Sequence, residues 1–295
     1  MPAPRLAFAA WLAVCLIWGT TYLAIRLALE TIPPMLLGGI RFFVAGAILC
    51  LVVRFWTGAL PPAREWPRHA VLGALMLGIG NGGVVWGERW IPSGLAAVNV
   101  AALPFWMAGS AAALGGERVS QRAVIGLAIG FSGIVLLIWP SLFLGDAKGH
   151  RFVFGVLLVQ LACVGWAVGS SLSKRWSLTS VVGGSAMQQL FAGLLLIAAG
   201  TALGEWGELT FTAQTVAAQI YLIAFGSLIA YSAYLYALAH LPIATVSLYA
   251  YVNPIIAVLL GTLFVNEPFT PRLAAAAALV LAGVMIVRRP PRGGS

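Results

Sequence analysis

Charge is what this chain has least of. Of its 295 residues 17 are Lys or Arg and 8 are Asp or Glu, so 8% are charged against 61% hydrophobic, with a mean hydropathy of +0.98. Soluble domains carry roughly 25% charge, which excludes a water-facing globule and requires a polytopic membrane protein. No acidic residue sits in the middle of an apolar run. Charged rings of the kind that line a cation channel are therefore missing, and so is a carbonyl filter motif. Cysteine is scarce as well: Cys15, Cys50 and Cys163 all lie inside apolar segments. That placement leaves no disulfide framework and no CxxC metal or redox motif. His69, His150 and His240 fall near helix ends, and neither HExxH nor GxSxG occurs. Nothing in this inventory calls for a catalytic centre, a bound metal or a cofactor. The net charge of +9 comes from arginines spread through short gaps. It forms no patch or stripe, so nucleic acid is not an expected partner.

What the chain does have is long apolar runs. A spanning helix needs roughly 20 apolar residues, and ten runs qualify: 6 to 28, 34 to 55, 70 to 90, 93 to 115, 121 to 139, 152 to 173, 181 to 202, 215 to 238, 241 to 265 and 271 to 288. The run after Arg5 exceeds the h-region of a signal peptide, so residues 1 to 28 read as a retained first helix. The runs also repeat. A shift of 150 lays Pro92, Pro104, Glu117, Arg122 and Gly133 on Pro242, Pro254, Glu267, Arg272 and Gly283. A shift of 147 or 148 pairs Cys15, Trp18 and Arg26 with Cys163, Trp166 and Lys174, and Ala45 and Gly46 with Ala192 and Gly193. The chain reads as a duplication, 1–145 and 146–295, with five helices in each half. Ser120, and Thr270 followed by Pro271, supply matching N-terminal caps for the fifth and tenth helices.

Topology follows from the basic residues, which favour the cytoplasmic side. With the N-terminus inside, the inner gaps hold Arg5, Arg54, Arg64, Arg68, Arg118, Arg122, Lys174, Arg175, Arg288, Arg289 and Arg292. The outer gaps hold Arg26, Arg89, Lys148, Arg151 and Arg272. Eleven against five places both termini in the cytoplasm. Five helices per half is an odd number, so the second copy begins on the opposite face and the repeat is inverted, the architecture of many secondary transporters.

The Trp18-Gly19 pair, Pro34 with Arg41-Phe42, the mid-helix prolines and the glutamates that close the fourth and ninth runs resemble the drug/metabolite transporter superfamily, EamA type. The resemblance spans residues 6 to 288 and is greatest to the YddG-like amino acid exporters. It implies a basket of helices 1 to 4 and 6 to 9 around a central cavity, with helices 5 and 10 packed at its side. Gly126 and Gly130, and Ala274, Ala278 and Ala282, are small residues at four-residue spacing that suit such a packing pair.

Polar side chains in a span face the bundle interior or a water-filled cavity. Arg41 is the one full charge well inside a run. It is suited to a substrate carboxylate or a gate, or else to helix-end carbonyls, and its repeat partner is Gln188. Asn81 pairs with Tyr231 and Asn99 with Tyr249 at the 150 shift; Trp86, Trp106, Tyr234 and Asn253 share those helices. With Trp18 and Trp166 they make a candidate substrate-binding set, each member alternatively a packing residue. Pro104 and Pro254 each remove one helical hydrogen bond and read as hinges or as simple kinks. Gly78, Gly80, Gly82 and Gly83 make the third helix deformable. Glu117 and Glu267 are expected to sit at the positive ends of the helices they precede. Glu88 is the carboxylate nearest to a possible proton relay, but one turn from the outer interface it is expected to be solvated; with no acidic residue at mid-membrane, a facilitative uniporter is expected.

These readings converge on an inner-membrane, multi-pass exporter of small metabolites, amino acids including aromatic ones foremost, working by alternating access. The partners implied are a small-molecule substrate and the lipid bilayer, and a monomer suffices. The alternative is an exporter of cationic drugs or nucleoside-type metabolites with proton coupling.

Overall fold

Inside a bilayer no water is available to the backbone, so every peptide group must bond within its own segment. The chain answers with helices throughout. The computed structural model describes residues 4–56, 60–115, 121–143, 147–176 and 178–288, and among these all regular structure is helical. In order they are α1 (Pro4–Ala28), α2 (Pro34–Trp56) and α3 (Ala63–Gly87). α4 has two segments, Ser93–Val100 and Leu103–Gly115, followed by α5 (Gln121–Phe143) and α6 (Ala147–Trp176). α7 is Val181–Ala202, α8 is Ala213–His240, α9 joins Ile243–Val246 to Tyr249–Val265, and α10 is Pro271–Arg288. Seven of the described helices, α1 to α4 and α6 to α8, are long and apolar enough to cross a membrane; α9 and α10 contribute shorter apolar helices.

The largest helix–helix contact joins α2 to α7, the two members of one repeat pair. A side chain on Gly39 would strike Ile197, one on Gly46 would strike Leu190, and one on Gly193 would strike Phe43, so the two helices run antiparallel. The match is reciprocal. Gly46 and Gly193 are repeat equivalents, as are Phe43 and Leu190, so each glycine meets the counterpart of its twin's neighbour. That is the signature of a two-fold axis passing through the contact. α5 and α10 obey the same rule: Gly133 sits against Ala276, Leu279 and Val280, while its twin Gly283 sits against Gly126 and Gly130. This pair packs chiefly on itself, beside the rest of the bundle. The face that α10 uses differs from the expected stripe. Ala276, Val280 and Gly283 make the contact, whereas Ala278 is exposed, because the stripe at Ala274, Ala278 and Ala282 lies on another side of the cylinder.

Helix ends are closed by side chains brought from elsewhere in the chain. Glu205 accepts from the Met35 and Leu36 amides at the start of α2 (3.3 and 2.9 Å). Glu65 accepts from the amide and hydroxyl of Thr179, just before α7 (3.4 and 3.0 Å). The two carboxylates exchange places between the halves. Glu267 accepts from the Ser93 and Gly94 amides and the Ser93 hydroxyl (2.7, 3.0 and 2.9 Å). It therefore stabilises the positive end of α4, rather than that of α10, which follows it. Arg26 donates to the Glu88 carbonyl at the end of α3 (3.1 Å), and its repeat partner Lys174 donates to the Leu241 carbonyl after α8 (2.7 Å). Thr270 caps α10 as expected, accepting from the Leu273 amide (3.1 Å). Ser120 and Glu117 lie outside the described residues.

Two helices depart from α geometry at matching places. α3 is a π-helix over Gly73–Asn81 and α8 over Leu222–Ile229, intervals that nearly coincide under the 150 shift. Wide turns of this kind cluster at functional sites. α4 breaks at Ala101 and Ala102, directly before Leu103-Pro104, whereas α9 breaks at Ser247 and Leu248 and then runs through Pro254 as helix. The two prolines thus hold unlike positions relative to the breaks.

A Cβ on Gly46 would lie 2.5 Å from the Leu190 nitrogen and 3.0 Å from the Ala186 oxygen, both backbone atoms that cannot swing aside. Gly46→Leu is expected to lower the melting temperature of the purified protein sharply, while Leu substituted at exposed Ala278 leaves it within a degree or two. Scanning fluorimetry in detergent reads the contrast.

Candidate functional site

The bundle holds a central cavity of about 60 Å3, small beside the roughly 300–1,000 Å3 typical of small-molecule sites, so the space is contracted in this conformation. α1 contributes Trp18, Thr21, Tyr22 and Ile25, spaced so that they share one face of the helix. α3 contributes Gly80, Asn81 and Val84 from the end of its π segment; α4 contributes Val100 and Leu103, which flank its break. Ala162, Cys163 and Trp166 come from α6, and Tyr249 and Asn253 from α9. The two halves of the chain therefore meet at this space.

Five of the expected residues, Trp18, Asn81, Trp166, Tyr249 and Asn253, line the cavity. The two repeat-related tryptophans touch edge to face, with ring centroids 5.2 Å apart and planes at 85°. Trp18 also packs on Tyr249 (5.1 Å) and on Tyr234 (5.2 Å). Edge-to-face and offset arrangements are the favourable ones for aromatic rings, each adding about 0.5–1.5 kcal/mol beyond burial. The indole groups are anchored differently. Trp18 Nε1 donates to the Gly226 carbonyl (3.1 Å), a π-segment residue, while Trp166 Nε1 donates to the Tyr234 hydroxyl (3.0 Å), which also contacts Ser170 Oγ (2.7 Å). Asn253, in the amide orientation that satisfies its neighbours, donates to the Cys15 and Tyr249 carbonyls (2.9 and 3.1 Å). Asn81 Oδ1 is buried without a partner. It is an acceptor held ready at the edge of the cavity.

A second cavity of about 260 Å3 lies beyond this aromatic cluster, lined by His69, Ser173, Lys174 and Gln188 among others. Tyr231 spans the gap between the two: its ring faces Trp166 of the first cavity (6.1 Å) and its hydroxyl donates to Gln188 Oε1 of the second (2.5 Å). Tyr231 and Tyr234 are both buried and separate the two spaces. Polar closure of this sort is broken and remade at low cost, which suits a gate.

The remaining expected residues fall elsewhere. Asn99 donates to the Val156 carbonyl (2.9 Å) and accepts at its side-chain oxygen from Gln160 (2.6 Å). Trp106 donates to Gln160 Oε1 (2.9 Å). Asn99 and Trp106 are thereby committed to a polar clamp between α4 and α6. Trp86 packs on Trp90 with centroids 6.2 Å apart, away from the cavity. Arg41 is 2% exposed between α2 and α8: Nε donates to Ser227 Oγ (2.8 Å), the guanidinium crowds Gly226, and Nη1 has no partner. It braces the π segment of α8 and lines neither cavity.

Tyr22, Thr21 and Val84 are wall residues that the sequence analysis does not single out. The signal for Tyr22 was present, since it lies one helical turn beyond Trp18. Glu88 was misjudged. It is 0% exposed, with neither carboxylate oxygen partnered, because α3 ends beneath the turn that leads into α4.

A two-repeat helical bundle with a central cavity, built from apolar spans, defines a multi-pass membrane transporter. Both halves match the EamA-like transporter family, over residues 5–139 and 153–289, and the chain belongs to that family. It is similar to the protein named "Uncharacterized inner membrane transporter YedA" of Escherichia coli, 36% identical over 256 residues, covering 86% of this chain and 81% of the relative. A "Probable terminal-alkyne amino-acid exporter" of Streptantibioticus cattleyicolor is 26% identical over 296 residues, covering 98% and 96%. A solved crystal structure shares the fold with a TM-score of 0.68 at 21% identity, covering 97% of both chains. The chain is accordingly a multi-pass protein of the inner membrane.

Trp166 touches Trp18, Tyr231 and Tyr234 and also faces the cavity. Losing its share of ring contacts to a bound apolar solute, about 0.5–1.5 kcal/mol, predicts a roughly two- to twelvefold rise in half-saturation concentration for Trp166→Ala. Trp86→Ala, remote from the cavity, is expected to leave that constant unchanged in the same transport assay.

Proposed function

We propose that this protein exports small zwitterionic metabolites, amino acids with apolar or aromatic side chains foremost, across the inner membrane by alternating access. The single observation that carries the reading is the aromatic cavity where the halves meet, walled by Trp18, Tyr22, Trp166 and Tyr249. Aromatic faces suit an apolar side chain and, through their negative quadrupoles, an ammonium group as well. Asn81 Oδ1 offers the ammonium an acceptor, and the tyrosine hydroxyls and the Asn81 amide offer donors to a carboxylate. The amino-acid exporter among the similar proteins supports the same substrate class. Trp18, Asn81, Trp166, Tyr249 and Asn253 are the proposed substrate contacts, with Tyr231, Tyr234 and Gln188 as the gate beside them.

The transport cycle on this reading rocks two inverted five-helix repeats, 1–145 and 146–295, about the site they share. The antiparallel, reciprocal contacts of α2 with α7 and of α5 with α10 support an axis in the membrane plane. Ten spans with both termini in the cytoplasm fit that arrangement and the distribution of arginine.

Counterflow from proteoliposomes with a panel of labelled amino acids tests the substrate class. At least one aromatic or aliphatic amino acid is expected to exchange; movement of a cationic drug with no amino acid moving at all defeats the proposal. Topology is read separately by single cysteines placed in a variant lacking the native three. Arg54→Cys is expected to react with an impermeant maleimide only after the inner face is opened, and Arg151→Cys in intact cells.

A further inference from the structure

Glu88 closes α3 at the outer edge of the cavity and is unlike the other buried glutamates. Glu65, Glu205 and Glu267 each accept two or three hydrogen bonds at a helix start. Glu88 is 0% exposed, and both its oxygens lack any partner. Arg26 is turned to the Glu88 backbone carbonyl at 3.1 Å and forms no ion pair with its carboxylate among the described residues. A carboxylate left dry and without donors costs several kcal/mol, more than taking up a proton. The neutral acid is the form this closed arrangement holds.

Its surroundings supply the reason to release that proton. Val84, one helical turn before Glu88 on the same face of α3, lines the cavity, so Glu88 lies one turn beyond the substrate space. From α1 the facing groups are Arg26 and Tyr22; from the turn between α9 and α10 the facing group is Glu267, whose like charge opposes ionisation. α6 packs Gly155 and Val159 against Gly87 and brings the Cys163 thiol near Tyr22, without a charge. α2 carries Arg41, already engaged with Ser227 on α8. The π segment that ends at Asn81, two turns before Glu88, is where α3 can shift and admit water.

We propose that Glu88 is a proton-binding site that couples export to proton entry: the carboxyl is protonated while the site is dry and loses its proton when the cavity is hydrated. In that step the carboxyl O–H bond breaks, the electron pair stays on the carboxylate and the proton leaves to water. The carboxylate then stabilises a substrate ammonium in front of Tyr22, and reprotonation expels it. Proton and ammonium exclude one another through their charge, which is the exchange rule of an antiporter. The proposal rests on the amino-acid export reading for its substrate and replaces the uniport expected from a solvated Glu88.

Two measurements on the full-length protein decide it. Infrared spectra at neutral pH, taken without substrate, are expected to contain the carbonyl stretch of a protonated acid that is missing from Glu88→Gln. Proteoliposomes with tritiated phenylalanine and a one-unit pH gradient are expected to accumulate it up to about tenfold, the limit for one proton per substrate. Glu88→Gln is expected to raise the half-saturation concentration of counterflow, to remove its pH dependence and to lose the gradient response; Glu88→Asp, which retains the acid, keeps the pH dependence and the gradient response and stands in if the glutamine variant does not fold. Identical infrared spectra for wild type and Glu88→Gln, counterflow that ignores the gradient, or a gradient response surviving in Glu88→Gln each overturn the proposal. Absence of phenylalanine counterflow altogether counts against the substrate reading instead, and the infrared band then decides the proton site alone.

Discussion

The constraint on which everything else depends is that a helix ending within a membrane leaves four amides or four carbonyls with no partner of their own. This chain spends its few charges there. Glu65, Glu205 and Glu267 hold amides at the starts of α7, α2 and α4, and Arg26 and Lys174 hold carbonyls at the ends of α3 and α8. Each glutamate reaches from one half of the chain to a helix of the other. The caps consequently do more than end helices, because they fix the halves against each other at the periphery while leaving the centre apolar and polar-neutral. Glu88 is the exception that this pattern makes visible.

The centre is built from equivalent residues in unequal settings. Trp18 and Trp166 correspond by repeat, yet they meet at 85° and donate to different kinds of acceptor, a backbone carbonyl and a tyrosine hydroxyl. Tyr234 corresponds to Val84, so the bond that orients Trp166 has no counterpart for Trp18. A substrate with a charged end and an apolar end finds different neighbours on the two sides of such a pair. The second cavity lies on the Tyr231 and Gln188 side, where a tyrosine–amide hydrogen bond stands between it and the centre.

Much of the scaffold is legible in the sequence, for a physical reason. Proline, glycine and hydroxyl caps act locally, so Thr270-Pro271, the Gly46 and Gly193 pair and the Gly126, Gly130 and Gly133 set announce helix starts and close contacts without knowledge of the fold. The site is less legible. Asn99 and Trp106 have the composition of pocket residues, but Gln160 on a separate helix consumes their hydrogen bonds. The reciprocal Glu65-Trp66 and Glu205-Trp206 pairs escape a search at 147 or 150 because the connections before α3 and α8 differ in length, moving the echo to 140. The π turn of α8 has one glycine where α3 has several, so only one of the matched pair shows in composition. Burial of Glu88 depends on how the turn into α4 folds over the end of α3, which no linear count of residues to the interface reveals.

The glycine crossing of α2 and α7 has a kinematic meaning. If transport exchanges the conformations of the two halves, almost every residue trades its neighbours for those of its twin. A point on the two-fold axis alone is carried onto itself. Gly46 against Leu190 and Gly193 against Phe43 straddle that point, so the same backbone contact serves both ends of the cycle. In such an exchange the crossing would serve as a fulcrum, stiff where the lever turns, with the displacement growing along each arm toward the two mouths.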